Sequence, residues 1–172
     1  MNYRKILLST AILAFSFHHA QNLKLNPTSA EERWKGYEQR KKLEENSILK
    51  NLEFRNVGPT TMSGRVTDID ANPENPTEFY VAYASGGLWY TNNNGTTFTP
   101  IFDREAVMTI GDIYVDWKTK TIFIGTGESN SSRSSYAGMG IYKSTNQGKT
   151  WQNLGLKDTH HIRSEERRVG KE

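Results

Sequence analysis

The chain contains no cysteine, which excludes disulfides, thiolate metal sites and a lipid-modified cysteine together. Its fold must be held by packing and hydrogen bonds alone. Histidine is scarce too. Of the four, His18 and His19 fall in the leader described below, which leaves His160 and His161. Adjacent residues on a strand point to opposite faces, so no metal site is expected there. No run approaches the roughly 20 apolar residues that a spanning helix needs. The glycine-containing stretches Gly86-Gly87 and Gly125-Thr126-Gly127 precede no helical pattern, so phosphate-loop readings fail on context and no cofactor is expected.

Net charge is also lacking once the two ends are set aside. Residues 1–20 open with Arg4-Lys5, run through the apolar stretch Ile6 to Phe17, and turn polar at His18-His19-Ala20-Gln21. That is the pattern of a secretory signal peptide cut after Ala20, with an uncleaved anchor as the alternative. Residues 163–172, Arg-Ser-Glu-Glu-Arg-Arg-Val-Gly-Lys-Glu, replace a glycine- and aromatic-rich texture with a charge run. They resemble the translation of a sequencing adapter, so the chain is read as an N-terminal fragment; a solvated charged tail is the alternative. Of the 22 basic and 19 acidic residues, 16 of each remain when both ends are removed. No basic surface is left to argue for nucleic acid or acidic lipid.

What is present is a helix signal followed by a repeat. Residues 21–52 form a linker and helix. Thr28-Ser29-Ala30-Glu31-Glu32 is a helix start, and Ser29 to Leu49 is rich in Glu, Lys, Arg and Leu. Trp34, Tyr37, Leu43, Ile48 and Leu49 make a thin apolar stripe, as on a helix lying outside something larger. Residues 53–162 then read as all-β, with short runs between Gly, Pro and Asn clusters. Strands are expected at Arg65–Asp70, Phe79–Ala84, Leu88–Thr91, Thr97–Ile101, Ile110–Val115, Thr121–Gly125, Gly140–Ser144 and Thr150–Asn153. Gly87 to Phe98 lies over Gly140 to Trp151 without a gap, and Asp68-Ile69 answers Asp112-Ile113. An insertion around Ser129–Met139 lengthens the second copy. A four-stranded repeat of about 50 residues predicts β-propeller blades, here two of them.

Ser144-x-Asn146-x-Gly148-x-Thr150-Trp151 resembles the Asp-box, and Thr91-x-Asn93-x-Gly95-x-Thr97-Phe98 matches it more weakly. Both copies carry Asn where that box has Asp. The residues fit a tight turn between the third and fourth strands: Asn accepts turn N–H groups, Gly supplies positive φ, Thr begins a strand and the aromatic is buried. In proteins with this box the turns are structural and peripheral. Asn56 to Ile69, Ala84 to Trp89 and Gly125-Thr126-Gly127-Glu128 together resemble the opening of the sortilin-like, "BNR-repeat glycosyl hydrolase" proteins of Bacteroidetes.

That resemblance implies an exported propeller, in the periplasm, at the cell surface or outside the cell. It would hold a protein, peptide or glycan on the channel face of its blades, with Arg65, Ser85, Gly86, Glu128 and Ser129 near strand ends as the expected contacts. No nucleic acid or stable membrane span is expected, and an oligomer only if the short chain is genuine. A glycoside hydrolase with its carboxylates in further blades is the alternative, and a surface-assembly protein a third. Xyloglucanase-like relatives carry an Asp before Gly-Gly, where this chain has Ala84-Ser85-Gly86-Gly87; Phe54-Arg55-Asn56-Val57-Gly58-Pro59 departs from the sialidase motif. Of the carboxylates Asp68, Asp112, Asp116 and Glu128, the first two are equivalent repeat positions, which favours structure, and Glu128 is the least easily explained. With two blades only, Trp89, Phe98, Tyr142 and Trp151 are expected to lack part of their burial.

Overall fold

The computed structural model describes residues 27–52, 64–128 and 135–163. The expected signal peptide of residues 1–20, the phrase from Asn56 to Ser63, Ser129 and the tail beyond Arg163 lie outside the described residues. Helix α1 spans Ala30–Asn46. Ser29 caps it by accepting from the Glu32 backbone N–H, while the Glu32 carboxylate accepts from the Ser29 N–H, a reciprocal capping box. The helix stops three residues short of the expected Leu49. Asn46 turns its side-chain amide back onto the Lys42 carbonyl, and Ser47 is extended.

Eight strands follow as two four-stranded antiparallel sheets: β1 (Val66–Ala71), β2 (Phe79–Tyr83), β3 (Gly87–Thr91) and β4 (Thr99–Pro100), then β5 (Ile110–Asp116), β6 (Thr121–Thr126), β7 (Ile141–Ser144) and β8 (Gln152–Gly155). Each sheet pairs its strands in sequence order. Both first strands carry a register shift at the same place, between Val66 and Asp68 and between Ile110 and Asp112. The sequence repeat is thus a structural repeat down to its irregularities. Thr97 and Thr150 do not begin strands as expected. Their backbone N–H and hydroxyl groups are taken by Asn93 and Asn146 inside the turn, and pairing starts two residues later.

The sheets stack face to face. In β6 the alternation is plain: Ile122, Ile124 and Thr126 are buried and Thr121, Phe123 and Gly125 are less so. Ile122, Ile124 and Tyr142 of the second sheet share one core with Tyr80, Ala82 and Leu88 of the first. The far face of the first sheet holds a smaller cluster of Val81, Tyr83 and Trp89 with Phe79 and Phe98. The expectation of poorly covered aromatics is corrected for two residues. Tyr142 is fully buried because its face meets the first sheet, and Trp89 is buried within the smaller cluster, donating to the Gly86 carbonyl. Tyr114, on the open face of the second sheet, and Tyr136 are exposed.

Helix α1 braces this stack through polar anchors more than through its thin stripe. Leu43, Ile48 and Leu49 are exposed, whereas Ala30 and Tyr37 are buried and Trp34 packs on the core. Tyr37 donates its hydroxyl proton to Glu105, Arg33 donates to the Gly138 carbonyl, and Arg40 reaches the carbonyls of Arg104 and Glu105. Lys157 lies over the Trp34 ring. The helix therefore ties the connector between the sheets to the second sheet. Among the described residues no helix is long and apolar enough to cross a membrane.

Candidate functional site

Antiparallel order puts the start of β1, the β2–β3 turn, the start of β5 and the end of β6 at one end of the stack. Four of the expected contact residues meet there. Arg65 precedes β1 and forms an ion pair with Glu128, which follows β6, so the pair crosses from one sheet to the other. The Arg65 side chain is 43% exposed and that of Glu128 only 1%. Among the described residues the Glu128 carboxylate has no hydrogen-bond donor, and Arg65 is the cation paired with its charge. Beside them the Ala84 N–H donates to the Arg65 carbonyl, and Ser85 and Gly86 form the exposed turn that follows. Gly64 is held close to that turn: a β-carbon there would lie 2.8 Å from the Ser85 hydroxyl.

The floor of this end is backbone. Gly127 donates to the Thr109 carbonyl, Glu128 to Tyr136, Gly138 to His160 and Ile162 to Thr126. His160 and His161 lie in this connecting segment and in no strand, with ring centroids 6.2 Å apart. Among the described residues no group of three His, Asp or Glu side chains is placed to hold a metal ion.

The remaining carboxylates do structural work. Asp116 accepts from Lys118, Thr119 and the Thr119 hydroxyl in the β5–β6 turn, and the Thr119 hydrogen bond holds its carboxyl below the usual range. Asp68 and Asp112 lie together on the neighbouring strands β1 and β5, where both accept from the Ile113 N–H. Asp70, which the sequence reading passed over, accepts from the Val115 N–H at 2.8 Å and from the Trp117 indole at 2.6 Å. Its signal was the spacing of two from Asp68, which sets both on one side of β1.

The two Asn-containing turns match bond for bond. Thr91 Oγ1 accepts from Gly95 N and donates to Asn93 Oδ1; Asn93 Oδ1 accepts from Thr97 N, and Asn93 Nδ2 donates to the Thr97 hydroxyl. Ser144, Asn146, Gly148 and Thr150 repeat that pattern. The amide supplies a donor that a carboxylate lacks, which gives Asn a positive role in this turn. Gly95 and Gly148 have φ of 77° and 81°, and Asn94 and Gln147 just before them are left-handed as well. Trp151 packs edge-on against Phe102 and donates to the Ile101 carbonyl, closing the gap between the sheets, while Phe98 packs on Phe79 at the far face.

No protein-family model matches the chain, and neither does any curated protein. Functional inference therefore stands on the geometry of the sheet-end cluster and on the motifs themselves.

A second concavity, about 800 Å³, lies between α1, the 100–105 connector and the Asn146 turn. Burial raises the carboxyl groups of Asp103 and Glu105 on its wall, and burial with Glu105 beside it raises the Tyr37 hydroxyl to about 12. Its wall mixes both signs, with Lys41, Arg104 and Lys149 opposite Glu44, Asp103 and Glu105. It selects no one ligand charge.

Proposed function

We propose that the two sheets are consecutive blades of a propeller of the Asp-box, sortilin-like class, and that the chain is an exported module binding a protein, peptide or glycan where Arg65, Ser85, Gly86 and Glu128 converge. The observation that carries this reading is the front-to-back stacking. The face of the first sheet bearing Tyr80, Ala82 and Leu88 receives the face of the second bearing Ile122, Ile124 and Tyr142. In the sequence overlay those are opposite faces of the repeat, because Leu88 corresponds to Ile141 and Trp89 to Tyr142. Such head-to-tail stacking closes only by adding units around an axis. The first strands β1 and β5 lie side by side, where a central channel requires them, and the Asn turns sit away from them.

Loops and turns at the ends of a rigid stack are the usual place for ligand contacts. At this end Ser85 is exposed, Arg65 is half-exposed and the buried Glu128 fixes the guanidinium. Export rests on the leader pattern of residues 1–20.

The test is to secrete the chain, screen it against immobilised oligosaccharides and a displayed peptide library, and compare variants by surface plasmon resonance. A ligand from either panel is expected to bind about tenfold more weakly to Arg65→Ala and Ser85→Trp, a loss of about 1.4 kcal/mol. A ligand held equally well by both variants would place the site elsewhere.

A further inference from the structure

We propose that Asn94 is a modification site: it converts without an enzyme to aspartate and isoaspartate, and the Thr91 hydroxyl sets the rate by holding the turn closed. Asn94 is the one asparagine of the sequence followed by glycine. It lies exposed in the first Asn turn, with a left-handed φ of 55°. Glycine carries no side chain to hinder its backbone nitrogen, and a surface turn opens more readily than a sheet. The second turn has Gln147-Gly148 at the same place. Its side chain is one methylene longer, so the same attack there must close a larger ring, and Gly148 is buried where Gly95 is only partly so. One turn of the pair therefore carries the reactive sequence, in otherwise matching geometry.

The step balances with water as its only co-reactant. The Gly95 backbone nitrogen gives up its proton and attacks the side-chain carbonyl carbon Cγ of Asn94. A Cγ–N bond forms, the Cγ–Nδ2 bond breaks, and Nδ2 leaves as ammonia with the proton that Gly95 gave up. Water then opens the cyclic imide at either carbonyl carbon. One opening gives aspartate; the other gives isoaspartate, whose main chain runs through the former side chain and is one carbon longer.

The folded turn holds this reaction back. The Gly95 N–H donates to Thr91 Oγ1 at 3.0 Å, and the Asn94 N–H donates to the Thr77 carbonyl at 2.9 Å. The bond to Thr91 keeps the proton on the attacking nitrogen, and swinging that nitrogen onto Cγ breaks it. Thr91 ends β3 and is 2% exposed, and its hydroxyl also donates to Asn93 Oδ1 at 3.0 Å, so the acceptor is fixed in place. Modification of the folded chain therefore runs through local opening of the turn, at a rate proportional to the open fraction. The extra backbone carbon of isoaspartate carries Gly95 away from Thr91, so the turn does not reclose in its original form.

The experiment incubates the full chain in mildly alkaline buffer, folded and in denaturing guanidinium, and follows Asn94 by peptide mapping with isoaspartate-specific methylation. Wild type, Thr91→Val and Thr91→Ser are compared. Thr91→Val keeps the volume and removes the acceptor; Thr91→Ser keeps a hydroxyl, as Ser144 does in the second turn. When folded, Thr91→Val is expected to react about tenfold faster than the wild type, the equivalent of about 1.4 kcal/mol for one lost hydrogen bond. Thr91→Ser is expected to stay within about twofold of the wild type. The wild type is expected to react at least about tenfold more slowly folded than unfolded. Equal folded rates for the wild type and Thr91→Val, or a wild type reacting as fast folded as unfolded, would overturn the proposal. Should Thr91→Val not fold, the wild type decides alone. Gly95 amide exchange and Asn94 modification rising together as guanidinium is added below the unfolding transition support the gate, and modification indifferent to that exchange sinks it. None of these readouts involves a ligand, so the gate stands or falls separately from the binding site.

Discussion

The first and second sheets share strand order, register shift and turn chemistry, yet one face of the repeat has two fates. In the first sheet Tyr80 and Leu88 are 1% and 0% exposed, because the second sheet covers them. In the second sheet the corresponding Phe123 and Ile141 are only partly buried and line a shallow hollow of about 270 Å³ with Asp112, Tyr114 and Gly125. The inner strands differ to match. β1 carries Asp70, which seals two donors of the neighbouring sheet, while the equivalent position in β5 is Tyr114, 62% exposed. Local sequence sets the internal geometry of each sheet, and the neighbour determines how much each face contributes to stability.

The largest expected difference follows from that contrast. Leu88→Ala removes a side chain from the closed interface and should cost about 3 kcal/mol, within the usual range for a buried Leu. Ile141→Ala, at the same place in the repeat, should cost less than about 1 kcal/mol, since partly exposed side chains give up less burial. Urea midpoints of the two variants measure this directly. Equal losses would mean that the open face is covered in solution, and the asymmetry between the sheets would disappear.

Next in size is the ion pair that joins the sheets at the candidate site. Arg65→Ala leaves the Glu128 carboxylate buried without compensation and should cost about 2 kcal/mol, below the range for fully buried pairs because Arg65 is half-exposed. Adding Glu128→Gln removes the stranded charge and should recover about half of that loss. Chemical denaturation of the single and double variants checks this. If the double variant were no more stable than Arg65→Ala, the pair would not be what links the two ends.

Much of this architecture was legible in the sequence. The repeat and the Gly, Asn and Pro clusters located all eight strands to within a few residues, and Ser29 with Glu32 located the start of the helix. Arg65, Ser85, Gly86 and Glu128 were readable as strand-end residues, and they do share one end. Their pairing was not readable, because Arg65 and Glu128 lie on different sheets and only the stacking brings them together. Asp70 escaped notice for the same reason: its partners, Val115 and Trp117, belong to the other sheet. The helix contacts were hidden as well, because Arg33 and Arg40 bind carbonyls, and side-chain patterning carries no record of those.

The smallest expected difference separates two turns that look alike. Gly95 and Gly148 both require positive φ, so an alanine at either position should cost about 1 kcal/mol from backbone strain alone. Their surroundings differ. A β-carbon at Gly95 would meet the Phe98 ring at 3.4 Å, an ordinary contact, whereas one at Gly148 would meet Ile101 Cδ1 at 2.6 Å and Ile101 Cβ at 3.1 Å. Cδ1 can rotate away but Cβ cannot, since the Ile101 carbonyl holds the Trp151 indole and its N–H donates to the Leu88 carbonyl. Gly148→Ala should therefore cost about 1 kcal/mol more than Gly95→Ala, the lower end of the usual penalty for overpacking. Thermal or urea midpoints of the two variants resolve a gap of that size. Equal costs would show that the second turn tolerates a methyl group between the sheets and that its packing against the first sheet is looser than the Trp151 and Ile101 contacts imply.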